Sequence, residues 1–300
     1  MAARRTLLVV NPASRGGRTR ALVDPTRDIL RSHGWDVEVV VTESAEHATQ
    51  VAASVDPDTL VAALGGDGLF ARVAAGVLTS GALMAPLPAG RGADFVRALG
   101  APRHLREVAS RLPLATERRV DVGMSGDVPF LGVATLGYDS LANTYANDAP
   151  SFVPGALVYA YGGARALVRM DPHRISLRID GETFDFTGWN VAIGNSGRYG
   201  AGMRVNPEAS MDDGLLDVTV VADMPRHHYP AMLPKLYSGT HVDGRSVRAY
   251  RGAVVEVLEP TGADLYLDGD LAAPAEGVRT FTVKPDALRV LAPVSPAPSA

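Results

Sequence analysis

Leu64-Gly65-Gly66-Asp67-Gly68-Leu69 ends an apolar run and opens a helical pattern. Glycines at a strand-to-helix turn let backbone N–H groups and the helix N-terminus come close to a phosphate. A carboxylate at that place repels phosphate unless a divalent cation or a proton lies between, so Asp67 points to Mg2+ or to an acceptor hydroxyl. Taken alone, the segment also reads as a tight turn with Asp67 as an N-cap.

The elements that must position this turn are visible on both sides of it. In the first third, short apolar runs alternate with amphipathic segments: Leu7–Val10, Arg20–His33, Val37–Val41, Ala45–Val55, Leu60–Leu64, Leu69–Leu78 and Leu83–Leu87. That rhythm predicts a parallel α/β sheet. Ligands of such sheets bind beyond the carboxyl ends of the strands, so Asn11–Gly17, Thr42–Glu43, Gly65–Gly68 and Pro88–Asp94 are expected on one edge. From Val120 onward the texture changes to Ile175–Ile179, Phe184–Phe186, Trp189–Ile193, Leu216–Val221, Ala253–Leu258 and Thr280–Val283, separated by Gly, Asp and Pro turns. This predicts a mainly β second domain, interrupted by helices around Gly155–Arg169 and Pro230–Ser238. Leu288–Leu291 is expected to return to the first domain, and Ala292–Ala300 to form a disordered tail.

Composition removes several classes of function. The chain has 300 residues and a mixed charge of −4, with no basic field to follow a phosphate backbone, so nucleic acid is excluded as a partner. There is no cysteine, hence no disulfide, thiolate nucleophile or Cys-ligated zinc. Lysine occurs only at Lys235 and Lys284, so a phosphate clamp must be arginine or backbone N–H. His227-His228-Tyr229 has no carboxylate partner at metal spacing. Trp35 and Trp189 read as core or rim aromatics. The run Leu7–Val10 is too short for a signal sequence, and no stretch reaches the roughly 20 apolar residues of a membrane helix; a cytoplasmic location is expected.

Five ordered motifs carry a resemblance. Asn11-Pro12-Ala13-Ser14-Arg15-Gly16-Gly17 resembles the NPxSG opening of diacylglycerol kinases, Gly65–Gly68 their GGDG nucleotide loop, and Pro88-Ala89-Gly90-Arg91-Gly92-Ala93-Asp94-Phe95 their P-x-G-T-x-N-D-F segment. In the second half, Gly194-Asn195-Ser196, Gly200–Met203, Pro207–Ala209 and Asp212–Asp217 resemble the lipid-kinase signature, and Asp268-Gly269-Asp270 falls where the family has Asp-Gly-Glu. The resemblance to the diacylglycerol kinase and sphingosine kinase superfamily runs from about Thr6 to Val290. It implies an α/β nucleotide-binding domain over 1–121, a mainly β sandwich lipid-binding domain over 122–286 with a cleft between them, and a return segment and tail over 287–300.

What the resemblance implies for residues is specific. Asn11, Ser14, Thr42, Gly65, Gly66, Asp67, Gly68, Gly90 and Arg91 would cradle ATP, and Asp270 would accept the proton of a lipid hydroxyl attacking the γ-phosphate. Asp121, in a V-D-x-G strand, would face the same cleft as a third catalytic carboxylate. Asp67 would hold Mg2+, and Asp213 with Asp94 a structural metal. The stretch Phe152–Leu167 would border the acyl chains. The implied partners are a lipid or other hydroxylated amphiphile and a membrane surface touched transiently and peripherally; a homodimer is compatible with the sequence. Against the family pattern stand Leu69 for Thr, Arg72 for Glu, Arg91 for Thr or Ser, Ala93 for Asn and Asp270 for Glu. Positioning is most of phosphoryl-transfer catalysis, so these changes keep a second reading open: a kinase fold that has lost transfer and serves ligand binding or another reaction.

Overall fold

The computed structural model describes residues 4–12, 17, 19–90, 92–150, 153, 157–200, 202–222, 224–261, 263–272 and 277–293. Strands β1 (Arg5–Val10), β2 (Asp36–Val41), β3 (Leu60–Gly65) and β4 (Leu83–Pro88) pair in parallel in the spatial order β2-β1-β3-β4. Helices α1 (Arg20–Ser32), α2 (Ala45–Ala53), α3 (Asp67–Ser80), α4 (Asp94–Ala98) and α5 (Leu105–Arg111) cover both faces. Alternate side chains of one strand therefore enter different cores. Leu7 and Val9 pack with Ala48, Phe70 and Val73, whereas Leu8 and Val10 pack with Leu30, Val108 and Leu112. Burial on both faces is why β1, β3 and β4 read as apolar runs, whereas the edge strand β2 carries exposed Asp36 and Glu38. Because the four strands are parallel, the loops that follow them leave from one edge.

The second half contains β5 (Glu117–Ser125), β6 (Val128–Phe130), β7 (Val133–Gly137), α6 (Tyr138–Asn147), α7 (Val158–Arg169), β8 (His173–Ile179), β9 (Glu182–Gly194), β10 (Leu216–Ala222), α8 (Tyr229–Ser238), β11 (Val247–Gly252), β12 (Val254–Glu259), β13 (Leu265–Leu267), β14 (Asp270–Leu271) and β15 (Arg279–Leu291). β9 pairs with β8 through its first half and with β7 and β10 through its second, which folds the strands over an apolar interior. Phe130 and Phe281 meet edge to face there, 6.3 Å between centroids. Trp189 is buried beneath α8 with Tyr229 and Met232, and Trp35 lies in the core of the first half.

The domains are joined by strand pairing. β15 pairs with β12 and β5 and then reaches the first sheet, where Val290 lies opposite Met84 of β4. The return of Leu288–Leu291 to the first domain is thus the end of a strand that begins in the second. Its register on β5 jumps between Lys284 and Leu288, and Asp286 in that jump has φ 51°. Phe184–Phe186 and Trp189–Ile193 likewise form one strand, β9. The helices near Gly155–Arg169 and Pro230–Ser238 are present as α7 and α8. α6 has no counterpart among the sequence expectations; its Ser, Asn, Thr and Tyr are weak helix formers, and tertiary contact fixes it, with Ser140 Oγ donating to Thr135 O at 2.8 Å. The expected tail lies mostly outside the described residues. No described helix is long and apolar enough to cross a membrane.

Candidate active site

The loops after β3 and β4 touch through their glycines. Ala89 N donates to Gly65 O at 2.7 Å, and a Cβ on Gly90 would stand 2.7 Å from Gly66 Cα. Only glycine permits that approach, and the N–H groups of the first turn of α3 have no acceptor within the helix. Thr42 is buried at the end of β2, and its Oγ1 donates to Val10 O at 3.1 Å, so what it offers a ligand is acceptor capacity. Asn11 follows β1, its N–H donating to Leu64 O at 3.4 Å. Ser14 and Arg91 lie outside the described residues.

Asp67 opens α3 but caps another helix: its Oδ1 accepts from Phe95 N, in the first turn of α4, at 3.0 Å. The N-cap of α3 itself is Gly66, so Asp67 does not cap the helix it opens. A Cβ on Gly92 would stand 2.9 Å from Asp67 Oδ2 and 3.3 Å from Asp94 Oδ2, so two carboxylates converge on that residue. Mg2+ bound with a nucleotide takes one or two carboxylates and fills its shell with phosphate oxygens and water. Asp67 and Asp94 fit that demand.

Asp270 reaches the same edge from the second domain. Asp268 (φ 52°) and Gly269 (φ 90°) form the two-residue turn between β13 and β14, the Asp-Gly hairpin with positive φ at both positions. That turn brings Asp270 Oδ2 to 3.8 Å from where a Cβ of Gly68 would stand and 3.5 Å from Arg72 Nη2. The turn is anchored by Asp268, a residue that sequence reasoning passed over. Its buried carboxylate accepts from Leu131 N (2.8 Å), Gly132 N (2.7 Å) and Val133 N (3.1 Å). Burial pushes the Asp268 carboxyl up to about 6; the charge of Asp67 pushes the same way, and the three N–H bonds oppose. The Asp-Gly pair signals a turn, but nothing local signals what its carboxylate holds.

Asp121, Asp213 and Asp94 each have protein partners. Asp121 is buried, and both its oxygens accept backbone N–H groups: Oδ2 from Gly214 N at 2.7 Å and Oδ1 from Asp286 N at 2.8 Å. These bonds link the register jump of β15 to the 211–215 turn. Asp213 and Asp94, expected to share a structural metal, each meet an arginine. Asp213 is ion-paired with Arg251, which also reaches Asp217 Oδ1 at 3.1 Å, whereas Asp94 lies 3.4 Å from Arg97 Nη1. No group of three or more His, Cys, Asp or Glu side chains suited to a metal occurs among the described residues.

Comparison with known proteins accords with this geometry. Residues 5–125 match the diacylglycerol kinase catalytic domain, and residues 132–292 match the YegS C-terminal NAD kinase beta sandwich-like domain. The chain belongs to the diacylglycerol kinase-like superfamily of lipid kinases, which are phosphotransferases. A protein of Mycobacterium tuberculosis named diacylglycerol kinase is 30% identical, covering 95% of this chain and 94% of the relative. A Pseudomonas putida protein named probable lipid kinase YegS-like is 33% identical over 88% of each. A crystal structure of a diacylglycerol kinase from Bacillus anthracis superposes with a TM-score of 0.72 at 18% identity, covering 98% of both chains. Another from that organism reaches 0.79 at 18% identity, covering 98% of this chain and 99% of that one. At such identity the likeness concerns the fold: an α/β domain followed by a β-sandwich domain.

Proposed function

We propose that the chain is an ATP- and Mg2+-dependent kinase that transfers the γ-phosphoryl group to a hydroxyl of a diacylglycerol-like lipid, with 1–121 as the nucleotide part and 122–286 as the lipid part. The observation that carries this reading is a carboxylate of the second domain, Asp270, lying against Gly68 of the first. In this reading the N–H groups at the start of α3 receive phosphate oxygens, with Asn11, Thr42 and Gly90 on the same edge. Ser14 and Arg91 are assigned to the nucleotide by the family motif. Asp270 takes the proton of the lipid hydroxyl as its oxygen bonds to γ-phosphorus and the bond from that phosphorus to the ADP oxygen breaks. Bound Mg2+ would neutralise charge between the β- and γ-phosphates, with Asp67 Oδ2 and Asp94 holding it. Tyr159 and Val168 of α7 are each 71% exposed and supply apolar surface for acyl chains or transient contact with a membrane.

One observation favours the second reading, ligand binding without transfer: Arg72 lies 3.5 Å from the carboxylate that would act as base. Both side chains are about half exposed, so the pair is weak and opens readily for a ligand. The test is transfer of labelled phosphate from ATP to a panel of diacylglycerols and long-chain alcohols. Transfer that falls by about 100-fold or more in Asp270→Asn, with nucleotide binding retained, supports the kinase. Absence of transfer to every alcohol, with ATP still bound, supports the second reading.

A further inference from the structure

Between α4 and the segment joining β9 to β10 lies a cavity of about 200 Å3, lined by Arg97, Ser196, Arg198, Arg204, Asn206 and the turn at 207–211. It includes no residue of the loops at 65–68 or 88–92. Arg97 and Ala98 come from the first domain and the rest of the lining from the second. The Arg97 guanidinium lies against Gly202, where a side chain would collide with it. Arg204 is held in place by donating to Pro207 O at 3.0 Å and Ser238 O at 3.5 Å. Arg198 has no hydrogen bond or ion pair among the described residues.

Charge in the cavity is one-sided. Burial disfavours the cationic form of Arg198, and Arg204, Arg97 and Arg103 act the same way; Asp94 alone opposes them. Asp212, which follows the last lining residue in the chain, is engaged by the Ser210 hydroxyl. Ser196 Oγ and Arg97 Nε are buried without a partner. Three guanidiniums, an unmatched hydroxyl and one nearby carboxylate make a cradle that a tetrahedral dianion would complete. The volume lies below the roughly 300 Å3 at which pockets for drug-sized molecules begin, so it admits a headgroup and not acyl chains.

We propose that this cavity binds a phosphate group, as inorganic phosphate or as a phosphomonoester headgroup, at a site separate from the nucleotide loops. The anion receives Arg198, Arg97 and Ser196 Oγ and so fastens α4 to the second domain. Nothing in the proposal depends on phosphoryl transfer.

Titration calorimetry without nucleotide or metal tests it, with inorganic phosphate and with dihexanoyl phosphatidic acid as probes. Binding to the wild type should weaken by about tenfold or more in Arg198→Gln, the scale expected for loss of a charge-assisted hydrogen bond. Arg165→Gln, on α7, should bind as the wild type does. A phosphatidic acid affinity well above that of phosphate identifies a lipid headgroup as the natural source, and equal affinities identify free phosphate; both outcomes support the site. Arg204→Gln supplies a second variant if Arg198→Gln does not fold. Unchanged binding in the folded variants, or no binding of either probe to the wild type at about 10 mM, overturns the proposal. A chain inactive as a kinase could still pass this test, and an active one could fail it.

Discussion

Arg72 on α3 and Asp270 on β14 stand 198 positions apart in the chain, in different domains, and their side chains meet at 3.5 Å. Both positions depart from the family pattern, which has an acid at each. A basic residue opposite the shorter acid gives Asp270 a partner that a glutamate at 72 would repel. A double-mutant cycle of Arg72→Ala and Asp270→Ala should give a coupling in unfolding free energy between about 0.2 and 1 kcal/mol, the range for half-exposed pairs. Coupling indistinguishable from zero would mean that the pair does not hold the domains. Arg72→Glu should cost more stability than Arg72→Ala, because it adds repulsion where alanine only removes attraction.

Ala93 presents the opposite situation, a departure with no visible compensation. It is the N-cap of α4 with φ 51° and ψ 42°, where a Cβ is strained and where the family's Asn is better tolerated. Ala93→Gly removes the strain and adds freedom to the unfolded chain, and the first effect is the larger. We expect a gain of about 1 kcal/mol, read as a higher denaturant midpoint at unchanged m-value.

These cases mark how far the sequence alone reaches. Strands buried on both faces announce themselves as apolar runs, so β1, β3 and β4, and with them the edge that carries the glycine loops, were legible to within two residues, and the edge strand β2 by its valines. The contacts across that edge were not. Asp268 meets N–H groups more than 130 positions earlier, and Asp213 meets Arg251 38 positions later. A carboxylate in a turn looks the same in sequence whether it binds metal, caps a helix or pairs with arginine. Asp67, Asp121, Asp213 and Asp268 separate only when their acceptor oxygens are followed through tertiary structure. α6 was hidden for a related reason, since its residues favour helix weakly and packing decides the outcome.

Asp268 should leave a signature in the pH dependence of stability. Its folded pKa of about 6 lies above the ordinary 3.8 of an aspartate, so between those values the folded state holds the proton more tightly than the unfolded state. The stabilisation from this group is therefore fully present below about pH 4 and is lost as pH rises through 6. Asp268→Asn does not titrate in this window. The stability of the wild type relative to this variant should fall between pH 4.5 and 7, measured by urea unfolding at several pH values. A relative stability that rises over that interval would show that the three N–H bonds outweigh burial and that the carboxyl is depressed.

Asp121 distinguishes a structural from a catalytic carboxylate most sharply, because the two roles predict opposite patterns in the same variant. One of its oxygens accepts from Gly214 N and the other from Asp286 N. Asp121→Asn keeps the shape but points an amide NH2 at one of those N–H groups, leaving a buried donor without an acceptor. The cost should be about 1–3 kcal/mol in unfolding free energy. The register jump in β15 would loosen, while transfer per folded molecule stays within a few-fold of the wild type. A catalytic Asp121 would show the reverse: an unchanged denaturant midpoint and transfer reduced by about 100-fold or more. Urea unfolding and lipid phosphorylation, measured on one preparation at a temperature where the variant remains folded, separate the two. The structural assignment fails if activity falls without stability.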